Sequence, residues 1–440
     1  MKFYSTKNNK HIVSAKEAIL TGLAPNNGLY MPLGIPRLGE QFFTNLTSYS
    51  FNEIALEISK LFFEDEINKK DLKKIIDRAY DFKAPLKLLD NNLFCLELFH
   101  GPTFAFKDFA AHFMAQLISH YRKGEDQLLN ILVATSGDTG GAVARGFYKV
   151  PGIRVVILYP KNKVSKLQEK QLTTLNENIT AIEVEGSFDH CQSMVKQAFL
   201  DEELNKEMLL TSANSINIAR LVPQSFYYLS AYAQLLKNSP SIDSLEKEPT
   251  FVIPSGNLGN ACAGIIASKM GMPVDNFVVA HNLNNAVTRY LETKEYKVKD
   301  TISTISNAMD VGSPNNFPRA LELFGNSWDK ISKKVFSYSF NDEQTKEEIK
   351  RVFEEYKYVV DPHTAIGFLG LEKFKEQNPD CNGVVLATAH AAKFLETMNQ
   401  VLPKDSIEIS DEVSELMNKE KTATEMGADY NNFKQYLLSL

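Results

Sequence analysis

Residues 130–160, NILVATSGDTGGAVARGFYKVPGIRVVILYP, decide how the chain folds. Ile131 to Ala134 is a short apolar run of strand length, and TSGDTGG, Thr135 to Gly141, is a glycine-rich loop. Ala142 to Lys149 then reads as a helix stopped by Pro151-Gly152, and Ile153 to Tyr159 is a second apolar strand. Such alternation predicts a parallel sheet covered by helices, since strands buried on both faces are continuously apolar.

The pattern continues with a helix over Val164 to Leu175, a strand over Ile179 to Val184 and a helix from Phe188 to Phe199. It returns at Phe251 to Ile253, followed by the loop PSGNLGN, a small-residue helix from Ala261 to Met270 and a strand from Phe277 to Ala280. A last copy runs from Val384 to Ala387 through TAHAAKF into a helix over Ala392 to Val401. Ligands of such sheets bind beyond the carboxyl ends of the strands, so these loops are expected to face one crevice.

Before about Asn91 the chain reads differently, with helical patterns at Ser14 to Thr21, Phe51 to Phe63 and Asp71 to Tyr80. The expected organisation is a mostly helical N-terminal domain, 1–90, a smaller α/β region, 91–210, and a larger one, 211–440. The stretch Lys294 to Asn341, irregular and polar around GSPNNFP, reads as a lid or surface insertion.

Composition narrows the function. The net charge of −6, from 48 basic and 54 acidic residues, has no basic excess for a nucleic-acid or anionic-membrane surface. At 44% hydrophobic and 23% charged, 440 residues can bury a sizeable core without staples. No apolar run has signal-peptide or membrane-span length, which predicts a cytoplasmic protein acting on small molecules. Cys95, Cys191, Cys262 and Cys381 lie far apart, so they are expected reduced and buried, and no metal site is expected among the His and Cys residues.

Four loops carry the candidate chemistry. In FHGPTFAFKD, Phe99 to Asp108, Lys107 lies at a strand-to-helix junction beside Phe104, Phe106 and Phe109. Loss of water around its ammonium would favour the neutral amine that forms a Schiff base. SGNLGN, Ser255 to Asn260, is neither a Walker loop nor a dinucleotide fingerprint, but its glycines could turn backbone N–H groups onto a phosphate at a helix start. A ligand-free glycine turn is the plain alternative. In TSGDTGG, Thr135, Ser136 and Thr139 suit a carboxylate, unless Ser136 or Asp138 only caps the helix. Thr388 could give one neutral hydrogen bond in the same crevice.

HGPTFAFKD, TSGDTGG, SGNLGN and TAHAAKF, in this order, resemble the threonine synthase family, pyridoxal-phosphate enzymes of the tryptophan-synthase-β-like fold type. YSTKNNKHIVSAKEAILTGLAPNNGLYMP resembles that family's N-terminal domain, with Asn26 to Gly28 and Ala391 as small departures. The resemblance implies two open, mainly parallel α/β domains and pyridoxal 5'-phosphate as cofactor. It implies that Lys107 carries the cofactor, that Gly256, Asn257, Leu258, Gly259 and Asn260 hold its phosphate, that Thr388 meets the pyridine nitrogen, and that Asp138 lies near the ring hydroxyl. It implies substrate-carboxylate contacts at Thr135, Ser136 and Thr139, and a substrate-phosphate pocket at NSINIAR with Asn217 and Arg220. The implied reaction converts O-phospho-L-homoserine and water to L-threonine and phosphate, in a monomer or homodimer. A dehydratase or phospho-lyase of the same fold is the nearest rival; a non-catalytic homologue would be expected to lack Lys107.

Overall fold

The computed structural model describes residues 1–238 and 247–440. Its larger sheet has six strands in the spatial order Val335–Ser339, Phe277–His281, Pro249–Pro254, Asn382–Ala387, Leu93–Glu97 and Leu86–Asp90. All neighbours are parallel except the last pair. The smaller sheet is wholly parallel, in the order Thr424–Gly427, Ile179–Glu185, Ile153–Pro160, Leu129–Ala134 and Leu209–Ser212. Its strand Leu129–Ala134 is buried at every position, as is Pro249–Pro254 in the larger sheet. Helices cover both faces, which is why these strands read as unbroken apolar runs.

The helices and strands expected over residues 130–200 are all present, with ends moved by a few residues. The segment after Thr388 opens as a 3-10 turn, Ala391–Phe394, before the helix Leu395–Val401. All four cysteines are free and buried, and burial pushes the Cys95, Cys191 and Cys262 thiols up to about 12.

Two expectations need correction and a third needs an addition. The sheets cross the cuts at 90/91 and 210/211: Leu93–Glu97 is a strand of the larger sheet, and Thr424–Gly427 pairs in register with Ile182 to Glu185 of the smaller one. Pairing between distant segments, which local pattern does not record, decides sheet membership. The N-terminal layer also contains a three-stranded antiparallel sheet, Lys2–Ser5, Asn8–Ser14 and Tyr30–Pro32, beside its helices. These strands are short, and the hairpin is largely exposed, so their alternation is too brief to read. In its closing turn Asn27 takes φ +57°, and a Cβ on Gly28 would lie 2.0 Å from Ser5 Oγ.

Lys294 to Asn341 is not a surface insertion. It contributes the helix Phe317–Leu323 and the edge strand Val335–Ser339, while Ser306, Asn316 and Arg319 are fully buried. Its polar residues bond one another and the end of the preceding strand: Thr304 Oγ1 donates to Asp310 Oδ1 at 2.7 Å, and Asn282 Nδ2 donates to the same oxygen at 2.8 Å. A buried polar network has the composition of a solvated loop.

His281, at the carboxyl end of its strand, is 1% exposed, and burial pulls its imidazole from 6.5 down to about 4. The unfolded chain therefore binds a proton between those values that the folded chain refuses. Its contribution is present above pH 6.5 and is expected to be lost as pH falls toward 4, amounting to about 3 kcal/mol across the window. Urea unfolding at pH 7 and pH 5 checks this: His281→Gln should flatten the dependence, and an equally steep loss in that variant would exclude His281 as its source.

Candidate active site

Lys107 is placed by its own loop. Asp108 is buried and accepts hydrogen bonds from Thr103 N–H at 2.8 Å and from the Thr103 hydroxyl at 2.6 Å, which folds residues 101–106 back over the helix Lys107–Tyr121. A Cβ on Gly101 would lie 2.5 Å from Asp108 Oδ2, so this clamp needs glycine. The loop then pairs with the segment after Ala387: Phe106 N–H donates to Thr388 O, and His390 N–H donates to Phe104 O. Lys107 and Thr388 consequently line the same crevice.

The crevice lies at the carboxyl ends of the parallel strands of both sheets. Lys107, Thr135, Ser136, Asp138, Thr139 and Arg220 line it together with Thr388 and all of Ser255 to Asn260. Of the expected site residues, Asn217 alone is elsewhere. Its Nδ2 donates to Ile19 O and Ser212 O at 2.9 and 3.0 Å, and its Oδ1 accepts from Ala219 N–H, so its amide is spent on joining the N-terminal layer to a 3-10 turn. A short polar motif does not reveal which way each side chain faces.

Ser255–Asn260 leads into the helix Gly259–Lys269, but its left-handed residue is Leu258, at φ +61°, rather than a glycine. Such a conformation is uncommon for a leucine and persists only where the surroundings enforce it. Gly256 serves another need: a Cβ there would lie 2.9 Å from Met309 Cα. Asn315 N–H donates to Asn257 Oδ1, so the GSPNNFP stretch is packed against this loop. Asn260 Oδ1 accepts from the hydroxyls of Tyr227 and Tyr228, whereas its buried Nδ2 has no protein partner.

In TSGDTGG the helix Asp138–Phe147 is preceded by Gly137 at φ +131°, with no side-chain cap, so neither Ser136 nor Asp138 is there as a cap. Thr135 Oγ1 accepts from the N–H groups of Gly137 and Gly140 at 3.0 and 2.9 Å, which leaves its own hydrogen to donate. Arg220 is 2% exposed; one of its N–H groups donates to Ala213 O, and its Nε has no partner. Burial pushes that guanidinium down to about 10.

Charge is concentrated on Asp138. Lys393 Nζ is 3.0 Å from its Oδ1, Lys107 Nζ is 3.6 Å from its Oδ2, and Gln168 Nε2 donates to Oδ1 at 2.8 Å. Burial alone would raise this carboxyl, but the Lys393 and Lys107 ammonium groups outweigh it and hold it well below the usual carboxylate range. Lys107 is lowered as well, which in its case favours the uncharged form: burial lowers it, Asp138 opposes that, and the cations of Lys393 and Arg220 lower it further. Of the three phenylalanines around it in sequence, Phe106 alone faces the amine, 5.6 Å from ring centroid to Nζ, while Phe109 packs on Phe82 and Tyr227.

Two contributors escaped the sequence reading. Lys393 stands in TAHAAKF, where Thr388 was the residue expected to act. His363, on the crevice wall, accepts Ala308 N–H at Nε2 and donates from Nδ1 to Asp361 Oδ2 at 2.6 Å, which holds the 307–309 turn in place. Asp-Pro-His-Thr has the form of a helix start, and nothing local marks it as a wall of this crevice.

Residues 81–389 match the family described as pyridoxal-phosphate dependent enzyme, and residues 2–80 and 364–437 match threonine synthase N terminus and threonine synthase, C-terminal. The chain belongs to the threonine synthases. It is 41% identical to the threonine synthase of Buchnera aphidicola subsp. Schizaphis graminum, with 100% of each chain covered. The crystal structure of threonine synthase from Escherichia coli superposes with a TM-score of 0.93 at 38% identity, covering 100% of both chains. A pyridoxal-phosphate-bound threonine synthase from Brucella melitensis gives 0.90 at 31% identity, over 99% of this chain and 98% of that one. As in those threonine synthases the fold is mixed α/β with mostly parallel sheets, and the enzyme is one that depends on pyridoxal phosphate. No helix among the described residues is long and apolar enough to cross a membrane.

Proposed function

We propose that this threonine synthase converts O-phospho-L-homoserine and water to L-threonine and phosphate in the cytoplasm, with pyridoxal 5'-phosphate held beside Lys107. The observation that carries the reading is the meeting of three groups in one crevice: a buried amine, a glycine-containing loop at a helix start, and an arginine whose Nε has no partner.

These residues fit the cofactor. The N–H groups at the start of the helix Gly259–Lys269 suit its phosphate, and the unpartnered Nδ2 of Asn260 adds a side-chain donor. The Thr388 hydroxyl would meet the ring nitrogen without fixing a proton there, and Asp138 would face the ring hydroxyl. When bound, the cofactor supplies a conjugated ring that takes up the electron pair left on carbon as a neighbouring proton departs.

The chain supplies the rest. Lys107, drawn toward the neutral amine, can accept the substrate's α proton and carry a proton to the adjacent carbons. Thr135, Ser136 and Thr139 would orient the substrate carboxylate by hydroxyl and backbone donors. Arg220 would bind the substrate phosphate, holding charge that grows as the C–O bond breaks.

The purified protein, supplied with O-phospho-L-homoserine, is expected to release phosphate and threonine in equal amounts. A main product of 2-oxobutyrate would move the reading to a lyase, and no phosphate release would overturn it.

A further inference from the structure

Lys393 has 0% side-chain exposure and reaches Asp138 without lining the crevice itself. Each hydrogen of its ammonium has an oxygen to meet: Thr103 O at 2.6 Å, Gln171 Oε1 at 2.9 Å and Asp138 Oδ1 at 3.0 Å. These acceptors come from the 101–106 loop, the helix Lys166–Thr173 and the helix Asp138–Phe147. Lys107 is worse provided for, its carboxylate oxygen being 3.6 Å away. Two lysines thus face one carboxylate, with the Arg220 guanidinium as a third cation and His363 also lining the crevice. Asp108, on the lysine's own helix, is tied up by Thr103. A buried carboxylate neutralises one cation well, and the acceptor set selects Lys393 as that cation.

We propose that Lys393 is a positioning residue: its ammonium neutralises Asp138 and so leaves Lys107 as the free amine of the crevice. The consequence for catalysis rests on the reading of Lys107 given above, but the electrostatic claim is tested without it.

The full chain, stripped of cofactor, is pulsed with acetic anhydride over a pH series, and acetylation of Lys107 is read by peptide mass spectrometry. In Lys393→Met, Asp138 has only Lys107 to pair with. The Lys107 midpoint should rise by about one pH unit or more, and labelling at a fixed lower pH should fall about tenfold. An unchanged midpoint overturns the proposal. Lys393→Arg keeps the charge and should keep the wild-type midpoint; a rise matching Lys393→Met would assign the effect to packing and also overturn it. Should Lys393→Met lose its far-ultraviolet dichroism, Lys393→Gln, an uncharged side chain that keeps polar atoms for its buried partners, takes its place: the Lys107 midpoint should rise as for Lys393→Met, and an unchanged midpoint refutes the role. Borohydride treatment of the wild type with pyridoxal phosphate, read as a mass increment on Lys107, reports the cofactor assignment separately, so either idea can fail while the other stands.

Discussion

Lys107→Ala is expected to lower turnover of O-phospho-L-homoserine by about 10⁴-fold, the upper range for removal of a group that moves protons in the transition state. The fold should survive. The lysine occupies the first turn of its helix, where alanine is a good helix former, and its side chain takes no part in the Thr103–Asp108 clamp. Its removal leaves Lys393 on Asp138 and relieves the crowding of cations, so stability should change by no more than about 1 kcal/mol. Phosphate release by the purified variant, with urea unfolding as the control, decides the matter. Turnover within tenfold of wild type in a folded variant would remove Lys107 from the mechanism.

The largest effect on stability is expected at Arg319. This fully buried side chain donates to Tyr30 O from Nε and one terminal nitrogen, to Ser215 O and Asn316 Oδ1 from the other, and to Ile216 O. Its acceptors span the N-terminal sheet, the stretch before Arg220 and its own helix, so it joins the N-terminal layer to the crevice wall. Arg319→Ala would leave buried oxygens without donors and open a cavity, for an expected loss of about 3–5 kcal/mol. A urea midpoint close to that of the wild type would show that the neighbouring oxygens find other donors. Arg319→Lys should restore little, because a single ammonium cannot reach acceptors arranged around a planar fork.

Both predictions concern lysine or arginine in polar surroundings, and the sequence was informative about only one of them. Lys107 stood out because an apolar strand run precedes it and a helical pattern follows it. Arg319 lay in a polar stretch that read as a surface insertion, since a buried hydrogen-bonded network and a solvated loop have similar composition. Asn217 failed in the reverse sense: its motif was informative, yet the amide faces Ile19 and Ser212 rather than the crevice. Leu258 was expected to sit between two turning glycines, but it adopts the left-handed conformation itself.

What the sequence determined alone is local. Continuous apolar runs separated by glycine-containing loops specify parallel strands with helices between them, and they put Lys107, Ser255 to Asn260, Thr135 to Gly141 and Thr388 at strand ends. Tertiary structure decided the partners: Leu93–Glu97 beside Asn382–Ala387, the 101–106 loop against Thr388, GSPNNFP on the Asn257 loop, and Lys393 on Asp138. The physical reason is that periodicity and turn chemistry act over a few residues, whereas the charge on Asp138 and the state of Lys107 depend on groups brought together from distant segments and kept out of water.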